Sequence, residues 1–242
     1  MNRNLPVLAP VAAAFLFLPQ LLLARVGGLA ATDRAAEPGS TILLLPLLAA
    51  AVVGQVVVQV FATLLSLGAA RPTVGATLAA SFALVPRGLM VSFVQSLPLL
   101  PPAVLLASGG TAGTIMGLPL LAIGLWVLVR LLPAFPVMAV EGAGVVEAVE
   151  RSWRLTAGRT GGLAGSLALL LLGFLLLLLV TLAATGILAS LVGALTGPAR
   201  EGWGLARWLE ASVQCALSAA LAVVLSVFVA MLYGRLRAAA GS

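Results

Sequence analysis

The chain has no lysine, no histidine, one cysteine and one tyrosine, and only 8% of its 242 residues are charged. Each shortage excludes a chemistry. Without histidine, and with a single thiol, no zinc or iron site built on nitrogen and sulfur donors can be assembled. Neither a serine–histidine nor a cysteine–histidine pair can exist, and a serine nucleophile has no lysine beside it. The seven acids do not cluster inside any apolar run. No catalytic residue, metal ligand or cofactor is expected, so the sequence reads as a non-enzyme. Cys215 cannot close an intrachain disulfide and, set within an apolar run, reads as a buried, inert thiol. Gly109, Gly110 and Gly113 lack the lysine of a phosphate-binding loop and predict a tight turn.

What the chain does have is apolar surface. Hydrophobic residues make up 62% of it, and several runs reach the roughly 20 residues that a helix needs to cross about 30 Å of hydrocarbon. Runs such as LALLLLGFLLLLLVTLAAT leave no polar face, which excludes a soluble helical core. The fold class is therefore all-α. The chain reads as one integral membrane domain over 1–242, with about six transmembrane helices near 7–25, 42–68, 89–107, 115–139, 161–187 and 210–233, plus one or two cytoplasmic interfacial amphipathic helices. The first run imitates a secretory signal, but Pro19 and Gln20 interrupt it and no small-residue cleavage site follows, so a retained helix is expected. The third carries Pro98, Pro101 and Pro102 with Ser92, Gln95 and Ser96, which predicts a kink or a break.

All 13 basic residues are arginine, and the net charge is +6. Without an arginine run or aromatic–basic interleaving, that charge suits anionic headgroups better than nucleic acid. Counted across alternate loops, Arg3, Arg71, Arg87, Arg151, Arg154, Arg159, Arg235 and Arg237 fall on one side and Arg25, Arg34, Arg200 and Arg207 on the other. The richer side is the cytoplasmic one, which places both termini there. Asp33, Glu37, Glu201 and Glu210 balance the other side, and Trp203, Trp208 and Tyr233 fall where interfacial aromatics belong.

The densest charge lies in EAVERSWRLTAGR, Glu147 to Arg159. On a helical wheel Val145, Val146, Ala148, Val149, Ser152, Trp153, Leu155 and Thr156 cover one half, and Glu147, Glu150, Arg151 and Arg154 gather opposite. Such a segment should lie flat at the cytoplasmic interface. Glu147 with Arg151 and Glu150 with Arg154 are i, i+4 pairs in the favourable order. The charged face can be merely solvated, or Arg151, Arg154 and Arg159 can hold lipid phosphates, for which guanidinium is well shaped. A shift of 71 residues lays Val74, Leu78, Ser81, Phe82 and Leu84 onto Val145, Val149, Ser152, Trp153 and Leu155. It suggests a parallel repeat of 42–107 and 115–187 about an axis along the membrane normal.

Polar side chains within the spans are few. Gln55 and Gln59 share a helix face and predict interhelical hydrogen bonds, or with Gln95 part of a polar path. Arg130 lies 11 residues before Glu141, about 16 Å along an unbroken helix. It would cost about 2.5–3.5 kcal/mol if left unpaired. Pro133 and Pro136 let the chain bend, so Arg130 is expected either to pair with Glu141 or Glu147 and pin the flat helix to the bundle, or to meet a lipid phosphate.

The run RLLPAFPVMAVEGAGVVEAVERSWRLTAGR, Arg130 to Arg159, resembles the signature of the membrane domain of glycerophosphoryl diester phosphodiesterases and of related YciC-like bacterial inner-membrane proteins. Arg130, Pro136, Glu141, Ala148, Ser152, Trp153, Leu155, Thr156 and Gly158 occupy the family's positions over about 30 residues. The resemblance implies a multi-pass protein of the bacterial inner membrane. It does not carry over the phosphodiesterase activity, because the histidines and the catalytic barrel are missing. Two functions fit. One is a non-enzymatic protein that organises or senses lipid and envelope components through interfacial helices, with anionic phospholipid as its expected partner. The other is a carrier or permease component for a lipid-like or small amphiphilic solute. A membrane-protein partner or a homo-oligomer is left open by both.

Overall fold

In hydrocarbon an apolar run can satisfy its backbone only within itself, and that selects helix. The computed structural model describes residues 5–32, 38–67, 73–158, 160–196 and 205–240, and every regular element among them is helical. In chain order these are α1 (Leu5–Ala12), a π-helical segment (Ala13–Phe17), α2 (Leu18–Thr32), α3 (Pro38–Leu67), α4 (Val74–Ala83) and α5 (Val85–Ser96). A 3₁₀ turn (Leu97–Leu99) leads to α6 (Leu100–Ala107), α7 (Gly110–Leu131), α8 (Ala134–Glu141), α9 (Val145–Leu155), α10 (Thr160–Thr196) and α11 (Leu205–Ala240).

Six stretches are long and apolar enough to span a membrane: Val7–Val26, Ile42–Leu67, Val85–Ala107, Gly110–Glu141, Thr160–Leu188 and Trp208–Ala239. They are the six read from the sequence, with the third and fourth starting earlier and the sixth running past Tyr233. The protein is an all-α polytopic membrane protein. The surface of α10 agrees, since Leu169, Leu172, Leu176, Val180, Ile187 and Leu191 are all more than half exposed. A patch of that size is untenable in water and ordinary against lipid.

The chain divides into two compact units, one comprising Met1–Val58 and Leu170–Leu225, the other Gln59–Leu169 and Ser226–Ser242. These divisions do not follow the segments 42–107 and 115–187. The first residues of α4 and α9 are nonetheless 71 positions apart, and Ser81 and Ser152, related by the same shift, are both fully buried.

In the first unit the N-terminal span is not a plain α-helix. Pro19 has no N–H to give the Phe15 carbonyl four residues back, and the ladder shifts to i→i−5 bonding, with the Leu18 N–H donating to the Ala13 carbonyl. The widened turn swings the Phe15 carbonyl against α3. A Cβ on Gly54 would stand 1.9 Å from that oxygen, so the two backbones meet at a point where only a hydrogen fits. Leu16 and Val56 to Val58, on either side of this contact, are buried.

In the second unit the third span breaks as its prolines predict, with a 3₁₀ turn separating α5 from α6. Ser108 and Gly109 then turn the chain into α7. Val129, Leu163 and Leu236 form a core, with Ala164, Leu167 and Leu232 packed around it.

The approach at Gly54 yields a prediction. Gly54→Ala should lower stability in detergent by about 1–3 kcal/mol, because the added methyl overpacks a backbone contact. Gly173→Ala, where a Cβ meets nothing within 4 Å, should leave the melting temperature unchanged or raise it. Equal melting temperatures for the two variants would exclude the contact.

Candidate functional site

The site begins with a break in the backbone. Pro133 and Pro136 have no N–H to donate to the turn before them, and α7 stops at Leu131 before α8 resumes at Ala134. Carbonyls at such a break need donors from elsewhere. The Arg130 carbonyl accepts from Ser152 Oγ at 2.6 Å, and the Leu131 carbonyl accepts from Gln95 Nε2 at 2.8 Å. Two side chains from other helices thus supply donors at the break and tie α5 and α9 to it.

The face that α9 turns to the protein suits this task. Ala148, Ser152 and Thr156 lie four apart on one side of the helix and are fully buried. Their small side chains let α9 come close enough for a hydroxyl to reach a carbonyl. The chain enters α9 through Gly142, which closes α8 in the left-handed conformation, φ 68°, that glycine alone adopts without penalty. Its N–H donates to the Met138 carbonyl at 3.1 Å, and its own carbonyl accepts from Arg87 Nη1 at 3.4 Å.

Arg130 occupies the last turn of α7, where the helix dipole favours a cation. Its guanidinium carbon lies 4.5 Å from the ring centres of both Trp126 and Trp153. The two indoles meet edge to face, 5.7 Å apart at 90°, and form a notch for the cation. Arg130 Nε donates to Thr160 Oγ1 at 3.3 Å. Each cation–π contact is worth about 0.5–2 kcal/mol, more where water is excluded, so the notch offsets much of the cost of a cation near hydrocarbon.

Here the structure departs from the sequence-based expectation. Among the described residues no ion pair joins Arg130 to Glu141 or Glu147. Arg130 meets α9 through Trp153 rather than through an acid. Glu141 pairs with Arg151 instead, Oε2 to Nη1 at 3.0 Å, with the carboxylate side chain 12% exposed. The guanidinium N–H groups do not point squarely at that oxygen, so the contact is an ion pair rather than an aligned hydrogen bond. The other carboxylate oxygen, Oε1, accepts from the Tyr233 hydroxyl, and the positive fields of Arg237 and Arg151 reach the same hydroxyl. Arg151 is thereby drawn away from Glu147, the i, i+4 partner that spacing predicts. Glu150 and Arg154 do pair as spaced, at 3.4 Å on an open surface.

Of the residues singled out in the sequence, Arg130, Glu141, Arg151, Trp153 and Arg154 come together at one end of the second unit. Arg159 lies outside the described residues. Gln55 and Gln59 lie in α3; Gln59 Oε1 is buried without a hydrogen-bond partner. Gln95 donates to the Leu131 carbonyl at the break. Trp126, Thr160 and Tyr233 join the site unforeseen. Trp126, four residues before Arg130, shares its helix face and was legible as a pair. Tyr233 had been assigned to the interface and is in fact buried, bonded to an acid 92 residues away.

Comparison with protein-family models, curated proteins and solved structures found no match to this chain.

A double-mutant cycle tests the pairing. Glu141→Gln and Arg151→Gln should be coupled by at least about 0.5 kcal/mol in thermal stability, whereas Glu141→Gln and Arg130→Gln should be additive within about 0.4 kcal/mol. The reverse pattern would restore the Arg130–Glu141 pair.

Proposed function

We propose that this membrane protein is non-enzymatic and organises or senses anionic lipid through α9. The reading is supported chiefly by what α9 leaves uncovered. Val146 and Trp153, seven residues apart and so on one face, are 81% and 36% exposed. Beside them stand the charged side chains of Glu147, Glu150, Arg151 and Arg154. A helix with one face against protein, an apolar stripe in the open and a charged face alongside suits the boundary between headgroups and acyl chains.

The charge balance supports an anionic surface. Among the described residues of the second unit, Arg87, Arg130, Arg151, Arg154, Arg235 and Arg237 stand against Glu141, Glu147 and Glu150. Arg87 and Arg151 both contact the Glu141–Gly142 turn, the first by a hydrogen bond and the second by an ion pair. By the positive-inside rule this end faces the cytoplasm, and juxtamembrane arginines attract acidic lipids by about 1 kcal/mol each. The resemblance to the membrane domain of glycerophosphoryl diester phosphodiesterases, and with it a bacterial inner membrane, agrees with this reading. Among the nine residues that carry it, Arg130, Glu141, Ser152, Trp153 and Thr156 make contacts to or within α9 and its C-terminal cap.

The carrier reading draws on one observation, the unpartnered Gln59 Oε1 within a span. It is the weaker, since Gln95 is engaged by a backbone carbonyl.

Mass spectrometry of lipids retained after gentle purification decides the matter. The Arg151→Gln, Arg154→Gln double variant should lose co-purifying anionic phospholipid at least severalfold while retaining neutral lipid. An unchanged lipid complement would end the proposal.

A further inference from the structure

The first unit contains a slot of about 340 Å³ between the N-terminal span and α11, lined solely by apolar side chains, among them Leu8, Ala12, Phe17, Ala216, Ala220 and Val223. The first and last residues of the π-helical turn, Ala13 and Phe17, both line it. Leu8 to Phe17 spans about 13 Å at the helical rise, and the volume spread over that length leaves a slot narrower than a helix with its side chains. A second helix does not fit. Water has no polar partner there. In hydrocarbon, an extended acyl chain does fit.

A cation lies beyond one end of the slot. The Arg25 guanidinium carbon lies 5.3 Å from the Trp208 ring centre. Arg25 is eight residues beyond Phe17, and Trp208 eight before Ala216. Both helices therefore place the pair about 12 Å from the near end of the slot. One leaflet's hydrocarbon is about 15 Å deep, so a lipid with its phosphate at this pair has the distal part of its tail at the slot. Among the described residues no carboxylate forms an ion pair with Arg25. Guanidinium is suited to phosphate, and an indole at headgroup depth is an interfacial anchor. We propose that the slot and Arg25 together form a binding site for one anionic phospholipid, with an acyl chain between the N-terminal span and α11 and the phosphate on Arg25. The site is separate from α9 and does not rest on the function proposed above.

Photo-crosslinking tests it. The full chain is reconstituted in phosphatidylcholine vesicles that carry a trace of phosphatidylglycerol, or of phosphatidylcholine, with a diazirine near the end of one acyl chain, and labelled peptides are mapped. Labelling should concentrate on residues 216–224, and phosphatidylglycerol should label there at least threefold more than phosphatidylcholine. Ala220→Phe, which fills the slot, should reduce that labelling about fivefold while labels on the exposed leucines of α10 persist. Arg25→Gln should abolish the preference for phosphatidylglycerol. Labelling no denser at 216–224 than along α10, or a phosphatidylglycerol preference that survives Arg25→Gln, overturns the proposal; this second readout holds even if Ala220→Phe does not fold. The Arg151→Gln, Arg154→Gln variant should label the slot like the parent, so the two proposals fail separately.

Discussion

The second unit depends on how an interrupted backbone is repaired. Two prolines end α7, and a carbonyl left bare near hydrocarbon costs several kcal/mol. The donors that complete it, Ser152 and Gln95, come from α9 and α5. Placement of the amphipathic helix is thus a matter of hydrogen bonding before it is one of charge. Once Ser152 is docked, Trp153 beside it reaches Arg130, and Arg151 reaches Glu141. A neutral hydroxyl on a helix otherwise rich in charge sets the position from which the charged side chains act.

This order of causes bears on function. The Glu150–Arg154 pair, 64% and 69% exposed at its two side chains, is worth only a few tenths of a kcal/mol. Glu141–Arg151 lies closer to protein, and Arg151 still keeps 48% of its side chain exposed. Buried small residues and a hydroxyl hold α9, so its arginines are not all needed to hold the fold and remain at the surface.

The features legible in the sequence were those with a period or a breaker. Apolar length located the six spans, the triple proline located the break in the third, and the charge pattern located α9. Local spacing also found Glu150 with Arg154. Choices between distant partners were not legible. Arg151 had Glu147 one turn away, yet a buried carboxylate at Glu141, already held by Tyr233, competes better because its surroundings screen less. Arg130 had two candidate acids and settled against two indoles, one a helical turn away and the other brought by α9. The π-helical turn went unread, although Pro19 was visible, because a missing N–H says that the ladder must change and not how. Gly54 supplies the rest, since with no Cβ it admits the displaced carbonyl.

The tenth helix sets a condition on the bilayer itself. Its apolar stretch of 29 residues is about 43 Å long at the helical rise, against about 30 Å of hydrocarbon. The excess of roughly 13 Å has to be absorbed by leaning steeply, by thickening the surrounding lipid, or by both. A leucine surface this long is better matched by a thicker bilayer than by a thin one.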